Sequence, residues 1–101
     1  MACKYKFLSG AAQEYENIIS YFVESCSNVS AANLFINEFR KQINLICENP
    51  RMYPLSRFEE LARLGYRLAL VNNYAFLYFY RDDIIYIAHV FHQKQNYIRF
   101  L

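Results

Sequence analysis

The chain has 101 residues, 55% of them hydrophobic, a formal net charge of +2 and three cysteines. That length makes one domain with a single core, so residues 1–101 are read as one unit. The charge is too weak to argue for nucleic acid, no apolar run could cross a membrane as a helix, and MACKYKFLSG lacks a signal-peptide core.

In chain order, CKYKFL alternates Cys3, Tyr5 and Phe7 against Lys4 and Lys6, which predicts a strand with one wet face. Ser9 can cap a following helix, on which Ala12, Tyr15, Ile19, Phe22 and Cys26 step by three and four. SCSNVS interrupts that helix, and Ser30 can cap the next. Ala32, Phe35, Phe39, Ile43 and Ile46 repeat the period until Pro50 stops it. Two helices joined by so short a polar turn form an antiparallel hairpin.

PRMYPLSRFEELARLG has no clean period and reads as a loop, with one helical turn at RFEELARL. Three strands follow: YRLALV, YAFLYFYR and IIYIAHVF. Only Asn72-Asn73 and Asp82-Asp83 separate them, which suits two tight hairpins. The order β-α-α-β-β-β is α+β: an N-terminal strand and an antiparallel helical hairpin packed on a mostly antiparallel sheet.

Two-residue loops set a register. Arg67, Tyr78 and Ile87 then share a row on one face, followed by Ala69, Phe76, His89 and by Val71, Tyr74, Phe91. The other face carries Leu68, Leu77, Ala88 and Leu70, Ala75, Val90. The smooth aliphatic face is the expected seat of the helices. The ring-rich face, with Tyr74, Phe76, Tyr78 and His89, is then the candidate binding face. Ten tyrosines and nine phenylalanines are more ring surface than so small a core needs.

Cysteines odd in number and without CxxC spacing indicate a reducing, cytoplasmic setting with buried thiols. Cys26 and Cys47, near the ends of antiparallel helices, would lie about 25 Å apart, too far for a bridge. His89 and His92 are three apart on a strand and point to opposite faces, which is poor geometry for joint metal ligation. Only Gly10 and Gly65 are present, so there is no glycine-rich phosphate loop. No metal and no cofactor are expected.

AQEYENIISYF, LICENPRMYP and GYRLALVNNYAFLYFYRDDIIYIAHVFHQKQNY, in this order and spacing, resemble the RelE/ParE superfamily of bacterial type II toxins. The resemblance implies a growth-inhibiting toxin, of the kind that stabilises plasmids, silenced in a hetero-oligomer with a cognate antitoxin. Its branches differ. RelE-like members are ribosome-dependent mRNA endoribonucleases, while ParE-like members are associated with inhibition of DNA gyrase. Arg67 and His92 match positions that some ribonuclease members use. The lysine cluster of the strongly basic ribonucleases is absent, and Gln93 stands where some carry arginine. The long paired helices and ENPRMYP resemble the ParE side.

Metal-free RNA cleavage needs a base for the 2′-hydroxyl, a cation on the phosphate and an acid for the leaving oxygen. Arg67 is the candidate cation, His92 or His89 the proton carrier, and Tyr97 a stacking or proton-donating group. Each also has a structural reading: Arg67 pairing or stacking on Tyr78, His89 packed in the sheet, His92 capping a strand end, Tyr97 packing the tail. Three expectations follow. The first is a gyrase inhibitor acting through its surface, the second a ribonuclease acting on ribosome-bound mRNA, and the third an inactive antitoxin-binding relative.

Overall fold

The computed structural model describes residues 4–95. Strand β1 (Lys4–Phe7) leads into α1 (Ser9–Ser20), a π-helical turn (Tyr21–Ser25) and α2 (Val29–Glu48). A short α3 (Glu59–Arg63) precedes β2 (Arg67–Val71), β3 (Tyr74–Arg81) and β4 (Ile84–His92). The sheet order is β1-β4-β3-β2, with β1 parallel to β4 and the other pairs antiparallel. This is the α+β order expected from the sequence.

Helix α2 forms where the pattern predicts it. Ala32, Phe35, Phe39, Ile43 and Ile46 are all buried, and a large apolar side chain so placed stabilises the fold by about 1.5–3 kcal/mol. Its cap is Asn28 rather than Ser30: the Asn28 Oδ1 accepts the Ala31 N–H at 3.0 Å. At its end α1 widens into the π turn, where the Cys26 N–H reaches back five residues to the Tyr21 carbonyl. The wider turn carries Cys26 off the buried stripe.

The expected buried thiols are not found. Cys26 is a free, exposed thiol, and Cys47 is disulfide-bonded. Cys3 lies outside the described residues.

Both hairpin turns have two residues, and Asn72, Asp82 and Asp83 take positive φ. The β2–β3 register is the predicted one, Arg67 opposite Tyr78 through Val71 opposite Tyr74. Between β3 and β4 the predicted pairing holds from Arg81–Ile84 to Tyr78–Ile87, then shifts. Leu77 next pairs with His89, so Ala88 is the extra residue of a β-bulge. His89 therefore leaves the Phe76 row, Val90 takes its place, and His92 comes opposite Tyr74.

The helices also sit on the other face from the one expected. Ala69, Val71, Phe76, Tyr78, Ile85, Ile87 and Val90 form one core with Phe35, Phe39, Ile43 and Ile46 of α2. The rings of Phe39 and Phe76 are 4.8 Å apart, and those of Tyr15 and Phe39 also 4.8 Å. Phenylalanine on the helices matches phenylalanine and tyrosine on the sheet, which fills more volume than the aliphatic face could offer. The aliphatic face is not bare. Leu61 of α3, with Phe58 and Tyr66, packs on Leu68, Ala75, Leu77, Ala88 and Phe91. The helical turn expected at RFEELARL forms as α3 and supplies that second, thinner layer.

Candidate functional site

Arg67 begins β2 and is half-buried. Its Nη1 donates to the Tyr53 carbonyl at 2.6 Å. The Tyr53 hydroxyl donates to Gln42 Oε1 at 2.6 Å, and Gln42 Nε2 donates to Glu38 Oε1 at 3.2 Å. Beside it the Tyr78 hydroxyl donates to the Pro50 carbonyl at 2.9 Å. These bonds tie the chain after α2 to the start of the sheet. Burial pushes the Tyr78 hydroxyl up to about 12, against a smaller lowering by Arg67. Phe76 and Tyr78 are fully buried under α2, so neither belongs to an open binding face.

His92 ends β4 at the opposite corner of the sheet. Its ring meets Tyr74 edge-on, with centroids 5.1 Å apart. The Lys94 N–H donates to His92 Nδ1 at 3.1 Å, and the His92 N–H donates to Gln95 Oε1 at 3.1 Å. With Nδ1 accepting, the neutral ring carries its proton on Nε2 and is a donor there. Taking a proton at Nε2 would require Nδ1–H and the loss of the Lys94 bond. Burial, with Tyr21 and Cys26 nearby, pushes the Tyr74 hydroxyl up.

Arg67 pairs with Tyr78 and His92 with Tyr74, four residues along β3 and two strands across. At strand spacing that separates their Cα atoms by about 16 Å. The Arg67 guanidinium is moreover held by Tyr53 at its own end of the sheet. The two residues are not brought together. Tyr97, the third member of the predicted set, lies outside the described residues.

Sequence reasoning missed Glu14. Strand β1 covers β4 only as far as Ile87, which leaves the rest of that edge to be satisfied otherwise. Glu14 of α1 does this: Oε1 accepts the Val90 N–H at 3.0 Å and lies 3.2 Å from His89 Nδ1. His89 is thus a half-buried partner of a helix carboxylate, not a ring on an open face. Glu14, Asn17, Ile18, Tyr21, Tyr74 and His92 border a groove of about 620 Å³ between α1 and the end of β4. Glu14 falls among the polar residues of α1, and no local pattern marks a side chain that bonds a strand 76 residues away.

Among the described residues no three of His, Cys, Asp and Glu gather into a metal-sized cluster, and no helix is long and apolar enough to cross a membrane. A small α+β domain with a helical hairpin on one sheet face is the class these features define. The family described as "ParE toxin of type II toxin-antitoxin system, parDE" matches residues 5–97. The chain belongs to that ParE toxin family and is a toxin of the RelE/ParE superfamily. A chain of the chromosomal ParDE toxin-antitoxin system from P. aeruginosa shares the fold at a TM-score of 0.69 and 13% identity, covering 89% of this chain and 95% of that one. YafQ from E. coli strain BL21(DE3) is similar at a TM-score of 0.57 and 13% identity, covering 91% and 94%. No curated protein matches the chain.

Proposed function

We propose that this toxin acts in the cytoplasm by inhibiting DNA gyrase through its surface, and that a cognate antitoxin silences it in a hetero-oligomer. The observation that carries the reading is the separation of Arg67 from His92. One is bonded to Tyr53 and the other to the backbone of Lys94, at opposite corners of the sheet. A metal-free ribonuclease needs its cation and proton carriers around one phosphate. An inhibitor that works by binding needs no such convergence. Membership of the ParE family supports the same side, and the match to a ParDE system supports an antitoxin partner.

The test is supercoiling by purified gyrase in the presence of the purified toxin, run beside translation with mapping of mRNA ends. Gyrase should be inhibited, mRNA should stay whole, and His92→Ala should inhibit as well as the parent. New cuts in coding regions that disappear in Arg67→Ala and His92→Ala would replace this reading with the ribonuclease one. A chain that leaves both gyrase and mRNA untouched, and leaves growth untouched when expressed alone, would be the inactive relative.

A further inference from the structure

Cys47 is disulfide-bonded, Cys26 is a free thiol, and the chain has three cysteines. The cysteine that remains is Cys3, one residue before β1. The described residues say how far the chain has to reach. Phe35 meets Tyr74 and Phe39 meets Phe76, with ring centroids 5.2 and 4.8 Å apart, so α2 runs along β3 in the same sense. Strand β1 runs the other way, because it is parallel to β4 and β4 is antiparallel to β3. The Phe7 ring stacks on that of Phe39 at 5.8 Å. From this contact the walk back along β1 to Cys3 is about 13 Å, and the walk forward along α2 to Cys47 is about 12 Å, in the same direction. In CKYKFL, moreover, Cys3 belongs to the alternating set of Tyr5 and Phe7.

Strand β1 has need of an anchor. It is four residues long, outermost in the sheet and paired with β4 alone. Lys4, Tyr5 and Lys6 are exposed, and of its residues only Phe7 is half-buried. A strand with so few buried contacts opens at low free energy. Cys47 is the firmer end, in the last turn of α2 and packed against the main core.

We infer that Cys3 and Cys47 form an intrachain disulfide that latches β1 to the end of α2, which puts the edge strand under redox control. Closing the latch joins the two sulfurs and passes two electrons and two protons to a disulfide oxidant such as glutathione disulfide, which leaves as two thiols. A dithiol opens it. One thiolate of the reductant attacks a sulfur of the bond, its second thiol resolves the mixed disulfide, and Cys3 and Cys47 are released as thiols while the reductant becomes the disulfide. The closed bond encloses β1, α1, the π turn and nearly all of α2, so it restricts the unfolded N-terminal half. Cys26 stays out of the exchange in the folded chain, since the π turn carries it into solvent at the far end of α2. The latch depends on neither the target nor the antitoxin proposed above.

The test is cysteine mapping of the full chain, held in glutathione disulfide or in dithiothreitol and then unfolded with an alkylating agent present. Trypsin should release fragment 1–4 joined to fragment 42–51 from the oxidised sample alone, with Cys26 alkylated in both. Reduction should lower the melting midpoint by about 10 °C. It should also speed exchange of the Leu8 amide, which donates to the Ile87 carbonyl, about tenfold. Cys3→Ser should match the reduced toxin in both conditions, and it leaves the core side of the bond untouched. Alkylation of all three cysteines in the oxidised sample, a link to Cys26, or a link between two chains on a non-reducing gel would overturn the pairing. A closed bond that leaves either the midpoint or the Leu8 exchange unchanged would overturn the latch, as would a response to dithiothreitol that persists in Cys3→Ser. None of these outcomes touches the gyrase reading, which stands or falls on the supercoiling assay.

Discussion

The two faces of the sheet are built to different standards. On the helix side, Phe39 and Phe76 pack among Phe7, Tyr15 and Phe35, with every large sheet residue of that core buried except Phe7 and Tyr74. On the other side, five residues of helix and a few flanking rings cover Leu77, Ala88 and Phe91, while Leu55, Leu64 and Leu70 stay in water. A small domain needs one well-filled core to fold, and the helix side supplies it. The thin side is then free to keep apolar surface that serves something other than stability. Family members that must be captured by a partner have use for such a division.

If the comparison is right, the largest stability effects fall on the helix side. Phe39→Ala removes a ring that touches Phe7, Tyr15, Phe35 and Phe76. It should cost about 3–5 kcal/mol in urea unfolding. A cost below about 1 kcal/mol would mean that the helices slide to fill the gap, and that the core is looser than its burial implies.

A second effect follows from Tyr78, which is fully buried on the same side with its hydroxyl on Pro50. Its folded pKa, raised to about 12 from 10.0, sets the sign. Below the unfolded value both states hold the proton, and the stability is fully present. As pH rises from there, the unfolded chain ionises first, and stability falls until the folded protein also ionises near 12. The loss across that window is about 2–3 kcal/mol. Tyr78→Phe should flatten the alkaline decline, apart from the smaller contributions of Tyr15 and Tyr74, which burial also raises. An unchanged decline in Tyr78→Phe would place the sensitive group elsewhere.

What the sequence revealed, and what it hid, follows the same division. The α2 stripe was legible because apolar and polar residues alternate at helical period, and every predicted stripe residue is buried. Both hairpins were legible because Asn72-Asn73 and Asp82-Asp83 break a long, mostly apolar run, and Asn72, Asp82 and Asp83 take the positive φ such turns need. The choice of face was not legible. In LALV and YAFLYFY both alternating sets are apolar, so period two carries no contrast between inside and outside. The bulge at Ala88 left no mark either, since an extra small residue in IIYIAHVFH does not disturb an unbroken apolar text. The distance between Arg67 and His92 follows from the register, but the bonds that hold each of them were not legible, because they depend on where Tyr53 and Lys94 place their backbone groups.

The smallest effect is the sharpest test of the thin side. Leu70→Thr places a β-branched, strand-favouring residue on the edge strand in exchange for an isobutyl side chain on a residue that is 45% exposed. With so much of it already in water, little transfer free energy is lost, and stability should stay within about 0.5 kcal/mol of the parent by chemical denaturation. That null result has force because Leu70 lies one strand from Ala75, whose row on β3 is sealed. A loss above about 2 kcal/mol would mean that Leu70 is buried in solution, by a second copy or by the chain's own remaining residues. The two are separated by repeating the titration at several protein concentrations, since only a dimer makes the loss concentration-dependent. Either result would close the thin face and end the contrast between the two sides.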